Sequence, residues 1–273
     1  MDSYLRSALR FDVSDSGPAD GEPVVLLHGF PQQPSTWDDV ATGLNAAGLR
    51  TLVPTMRGYT ATNRPRPRRA YAIEETAADV VALLDAAGLD RAHLVGHDFG
   101  GMAAWGVAGW YPDRVATLTS VSTPHPAAFR DGLRAGQARA SWYMALFQLP
   151  GLPEALARRT LMKSLVGSGL PVESADAYAA AMAEPGAWTG AFNWYRGLPF
   201  STKPVGRIRV PTTYVWGRND AALVRSTAEA TAKYVVGPYT FVDLDAGHWL
   251  PETESDAVTT AILDRITAAP ASG

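Results

Sequence analysis

The segment Gly96-His97-Asp98-Phe99-Gly100-Gly101 constrains this chain more than any other. It follows an apolar run, residues 92–95, and opens a stretch of small residues able to form a helix. Strand, sharp turn, helix is the setting of a nucleophile elbow, where a reactive side chain rides on a strained turn. Glycines on both sides let strand and helix approach closely. The central residue of such an elbow is usually Ser; here it is Asp98. An acyl group moved onto a carboxylate gives a labile anhydride, whereas an alkyl group gives an ordinary ester that water can cleave. Asp98 therefore points to attack on a saturated carbon, in an epoxide or a carbon–halogen bond. Taken alone, the hexapeptide also fits a glycine-rich turn with Asp98 as a helix cap.

The surrounding pattern alternates short apolar runs with helical periodicity, which predicts an α/β fold with a mostly parallel central sheet flanked by helices. Strands are expected at residues 23–27, 50–53, 92–95, 115–121, 212–216 and 239–242. Residues 73–86 carry an apolar stripe at Ile73, Ala77, Val80 and Leu84 and stop at Gly88, the signature of a surface helix. Residues 99–110 are apolar all round, as suits a buried helix. A last helix is expected from 255 to 266. Between about 126 and 207 no strand pattern appears, while aromatics and helix formers abound. The expected organisation is a core of residues 1–125 and 208–273, with residues 126–207 inserted as a helical lid.

An Asp nucleophile needs a base to activate water, an acid residue to orient that base, and backbone donors for the oxyanion. His248, in Ala246-Gly247-His248-Trp249 after the last strand, is the candidate base. Asp220, in Gly217-Arg218-Asn219-Asp220 after the preceding strand, is the candidate orienter; Asp243 and Asp245 are alternatives. The order nucleophile, acid, histidine is that of the α/β hydrolases. The oxyanion donors are expected to be the Phe99 and Phe30 N–H groups, the latter in His28-Gly29-Phe30-Pro31.

With His28-Gly29-Phe30-Pro31, the Asp98 elbow, Asp220 and His248 in place, the chain resembles the epoxide hydrolases of the α/β-hydrolase fold and their relatives, the dehalogenases. The resemblance implies two lid tyrosines that protonate the epoxide oxygen. Tyr143, shortly before Phe147-Gln148-Leu149-Pro150-Gly151, and Tyr195, in Asn193-Trp194-Tyr195-Arg196, occupy those contexts. A haloalkane dehalogenase, the alternative, typically carries side-chain halide donors where this chain has Phe99 and Phe30. Leu146, Phe99 and Arg57-Gly58-Tyr59-Thr60-Ala61 depart from the usual pattern, and the first two bear on pocket shape rather than mechanism. Trp37, His125, Trp142, Phe147 and Trp249 are candidate pocket walls, and each tryptophan fits the core equally well. The expected substrate is an apolar or aromatic epoxide, and the resemblance implies no metal and no organic cofactor.

Bulk properties narrow the partners. A net charge of −3 gives no electrostatic reason to bind nucleic acid or an anionic membrane. The absence of cysteine excludes disulfides and thiolate catalysis. No apolar stretch reads as a signal peptide or a membrane span, so a soluble cytoplasmic protein is expected. The oligomeric state is open.

Overall fold

The structure, a computed structural model, describes residues 1–269. Eight strands form one sheet in the order β1-β2-β4-β3-β5-β6-β7-β8. They are β1 (Ser3–Arg6), β2 (Leu9–Ser16), β3 (Pro23–Leu27), β4 (Arg50–Pro54), β5 (Ala92–His97), β6 (Val115–Val121), β7 (Thr212–Gly217) and β8 (Tyr239–Leu244). From β4 to β8 neighbouring strands pair parallel, while β2 pairs antiparallel with both β1 and β4.

Burial on both faces explains why the central strands read as continuous apolar runs. In β3, Val25 and Leu27 join one core layer while Val24 and Leu26 join the other. The first layer packs under α2 (Ile73–Ala86) and α3 (Phe99–Trp110). The second packs under α1 (Asp38–Ala46) and a C-terminal helix, Ser255–Thr267. The hairpin β1–β2 was not expected from the sequence. Its signal is the alternation of Leu9, Phe11 and Val13 with the exposed Arg10 and Asp12, the period of a half-buried strand.

Between β6 and β7 the described residues hold helices and no strand. In chain order these are α4 (Pro126–Gly132), α5 (Gln137–Ala140), α6 (Tyr143–Leu146), α7 (Leu152–Leu156), α8 (Met162–Gly167), α9 (Val172–Ala181) and α10 (Ala187–Gly197). Helix α10 is tied to the loop after β4. The Trp194 indole donates to the Arg57 carbonyl at 2.6 Å. Arg64, in the proline-broken loop, donates to the carbonyls of Gly58 and Pro185 and pairs with Glu184. The buried Arg196 donates to the carbonyls of Phe147 and Leu149 and pairs with Glu154, so the segment carrying α6 and α7 hangs on α10. After β7 come α11 (Arg225–Ala230) and, beyond β8, α12 (Leu250–Thr253) and α13 (Ser255–Thr267). Among the described residues no helix is long and apolar enough to cross a membrane.

Candidate active site

Parallel pairing aligns the C-terminal ends of β3, β5, β6, β7 and β8 along one edge of the sheet. That edge is where open α/β sheets bind ligands. Asp98 follows β5 directly and holds φ 50°, ψ −121°, a left-handed conformation that a non-glycine residue rarely adopts. The close approach around it demands glycine. A Cβ on Gly100 would lie 2.1 Å from the Leu27 carbonyl oxygen, and one on Gly29 would lie 2.4 Å from the Asp98 Cβ.

The two oxygens of Asp98 meet different neighbours. Oδ1 accepts the Phe30 N–H at 2.8 Å, and the Phe99 N–H adds a second backbone hydrogen bond to the carboxylate. Oδ2 lies 3.8 Å from His248 Nε2. On the far side of the ring, His248 Nδ1 is 2.7 Å from Asp220 Oδ2. Asp220 Oδ1 accepts the N–H groups of Ala222 and Leu223, which fixes the carboxylate in its turn. Asp243 instead pairs with Arg218 and Arg225, and Asp245 accepts from Asn219, so neither orients His248.

Burial raises the Asp98 pKa from its ordinary value, against the opposing pull of His248 and the two amides. Burial lowers that of His248, but Asp220 and then Asp98 outweigh it and lift the pKa to about 9. Tyr143 and Tyr195 lie edge to face, ring centroids 6.1 Å apart. Burial pushes both phenols above their ordinary range, and the Asp98 charge adds to it. Both tyrosines line two cavities that also contain Asp98 and His248.

The larger cavity, about 330 Å³, runs between Phe30, Trp142, Phe147, Leu161, Leu165 and Trp249. The smaller, about 50 Å³, runs toward Met102, Pro124, Phe129 and Met144. Two expected pocket residues are not there. Trp37 is fully buried in the core layer with Val40 and Leu44, because it opens α1, on the far face of the sheet from the helical segment. His125 is also fully buried; it stacks on Tyr234, lies edge to face with Trp105 and has Nε2 3.1 Å from the Gly206 carbonyl, leaving its neighbour Pro124 to line the cavity. Sequence reasoning missed Met102, Leu161 and Leu165, which carry no chemical signature, and a polar cluster of Gln32, Glu252 and Tyr178 beneath the site. Among the described residues no cluster of His, Asp or Glu is arranged to hold a metal ion.

The chain matches the α/β hydrolase fold family over residues 22–255. It is 33% identical to a Bacillus subtilis protein, AB hydrolase superfamily protein YfhM, over 94% of each chain. It is 32% identical to human epoxide hydrolase 4, covering 95% of this chain and 77% of the human one. Its fold superposes on epoxide hydrolase A from Mycobacterium thermoresistibile with a TM-score of 0.86, at 26% identity and with 98% of each chain covered. The chain therefore belongs to the α/β-hydrolase family, among the relatives that carry the name epoxide hydrolase.

Proposed function

We propose that this enzyme hydrolyses an apolar or aromatic epoxide to a vicinal diol through an ester formed on Asp98. The observation that carries the reading is the convergence of a carboxylate and two buried phenols on one cavity. An opening epoxide leaves as a strongly basic alkoxide and needs a proton. Tyr143 and Tyr195, kept protonated by burial, supply it from the wall of the cavity that they share with Asp98. A departing halide would need side-chain donors instead, and Phe30 and Phe99 offer none. Residues 126–207 act in this reading as a cap that carries both tyrosines and closes the apolar wall.

The reaction proceeds in two halves. Asp98 Oδ2 attacks an epoxide carbon, the carbon–oxygen bond breaks, and a tyrosine proton passes to the released oxygen. His248, oriented by Asp220, then takes a proton from water, and the resulting hydroxide adds to the ester carbonyl. The Phe30 and Phe99 amides hold the tetrahedral oxyanion; its collapse expels the diol alkoxide, which takes its proton from the His248 imidazolium, and the proton of the new Asp98 carboxyl returns to the tyrosinate. The ionised carboxylates on both sides of His248 favour its protonated form in the free enzyme. Ester formation removes the Asp98 charge and so frees the imidazole to act as a base.

The test is intact-protein mass spectrometry of His248→Gln mixed with aryl and alkyl epoxides. The variant is expected to accumulate an adduct on the Asp98 peptide equal in mass to the whole epoxide. A folded variant that forms no such adduct, while wild type converts the same epoxide, refutes the covalent route.

A further inference from the structure

Beneath the site lies a carboxyl group that the reaction above does not use. Glu252 Oε1 accepts from the Gln32 amide at 2.8 Å and from the Tyr178 hydroxyl at 2.9 Å. The Gln32 amide has a fixed orientation. Its Oε1 accepts the Gly29 N–H at 2.8 Å, and its Nε2 donates to Thr36 Oγ1 as well as to Glu252. Turned over, it would set its NH₂ against the Gly29 N–H and its oxygen against the carboxylate.

That orientation leaves His97 between two acceptors. Its Nδ1 is 2.7 Å from Gln32 Oε1, and its Nε2 is 2.9 Å from the His248 carbonyl oxygen. A neutral imidazole has one N–H and one lone pair. Either neutral tautomer would press a lone pair against an acceptor, in a site closed to water. We propose that His97 is an imidazolium whose counter-charge is the Glu252 carboxylate, bridged through the Gln32 amide, and that Glu252 is thereby a positioning residue for the hydrolytic step.

The groups around the ring pull both ways. Burial, His248 and His28 all disfavour a charge on His97, and burial likewise favours a protonated Glu252. His28 adds no charge of its own, since burial holds its pKa at about 4. On the other side stand the Glu252 carboxylate, reached through Gln32, and the two acceptors that the neutral ring cannot satisfy together. One proton moved from Glu252 to His97 gives both His97 ring nitrogens a donor role without changing the total charge, while Glu252 Oε2 has no hydrogen-bond partner among the described residues. The arrangement has two consequences for catalysis. His97 holds the backbone at His248, and Gln32 holds the Gly29 N–H next to the oxyanion donor of Phe30. A cation 4.9 Å from the His248 ring also favours the neutral, basic form of His248 once Asp98 is esterified.

The experiment is ¹⁵N NMR of histidine-labelled wild-type enzyme at pH 7 without substrate, with His97 assigned by the signals lost in His97→Asn. Two protonated ring nitrogens on His97 are expected; one bare nitrogen overturns the proposal. In Glu252→Gln, His97 is expected to lose one N–H. If it stays doubly protonated there, Glu252 is not its counter-charge. The kinetic arm rests on the proposed reaction: hydrolysis of a preformed Asp98 ester should slow about tenfold in Glu252→Gln, a fraction of a general base's full contribution. Ester formation should change less, and Glu252→Asp should restore part of the loss. An unchanged hydrolysis rate refutes the positioning role. The NMR arm involves no epoxide, so its failure is distinguishable from a failure of the reaction itself.

Discussion

In the proposed reaction, Gly29→Ala isolates the contact between the oxyanion loop and the nucleophile. The added methyl would sit 2.4 Å from Asp98 Cβ, 2.8 Å from its Oδ1 and 2.9 Å from the His97 carbonyl oxygen. Ordinary contact starts at 3.4 Å, so loop and nucleophile must part by about 1 Å. Asp98 has little room to yield, since its backbone is held in the left-handed turn between a fully buried strand and a buried helix. The separation therefore falls on the Phe30 N–H, whose 2.8 Å hydrogen bond to Asp98 stretches out of range. Losing one oxyanion donor costs about 100-fold or more in kcat. Overpacking of this kind costs about 1–3 kcal/mol of stability. The assay pairs steady-state turnover of an aryl epoxide with a thermal melt of the same preparation. A folded Gly29→Ala enzyme with kcat reduced about 100-fold is the expected result. A kcat within about threefold of wild type would refute the argument that this contact sets the oxyanion geometry.

Two further expectations concern the proton inventory of the proposed reaction. Tyr143→Phe combined with Tyr195→Phe should slow formation of the Asp98 ester by about 10³-fold in stopped-flow or quenched-flow measurements, and each single change should cost less. The two half-reactions should also respond differently to pH. Ester formation needs ionised Asp98, whose pKa is raised, so its rate should fall as pH drops while still above the ordinary carboxylate range. Ester hydrolysis needs neutral His248, whose pKa of about 9 depends in part on the Asp98 charge. Its rate should therefore rise to a plateau with an apparent pKa below 9; a profile still climbing at pH 9 would contradict the loss of that charge.

Much of the core was legible because each element answers to a local rule. Residues 73–86 carry a helical stripe with a glycine just past the end, and α2 spans those residues. Strands β3, β5, β6 and β7 are buried on both faces and so carry no charged Asp, Glu, Lys or Arg to mislead the eye. Asp98, Asp220 and His248 could be picked out because each follows a strand whose end the parallel sheet brings to one edge. Where the information is not local, it failed. Trp37 and His125 lie near the right motifs in sequence, yet tertiary packing turns both into the interior. Nothing within the chain's local pattern pairs Gln32 with Glu252, 220 residues away. Nor does local pattern join Arg64 to Glu184 and Pro185, just before α10.

The unequal surroundings of the two Asp98 oxygens carry an isotopic consequence. Oδ1 is pinned by the Phe30 amide, while Oδ2 faces the base. In the proposed reaction Oδ2 leaves with the diol, and the oxygen that replaces it comes from solvent. The first diol released from each molecule thus carries an atom of the protein rather than of the water around it. In heavy-oxygen water the label would enter the enzyme one turnover before it enters the product. If the carboxylate does not rotate between turnovers, Asp98 keeps one of its original oxygens throughout its working life and trades the other at every cycle.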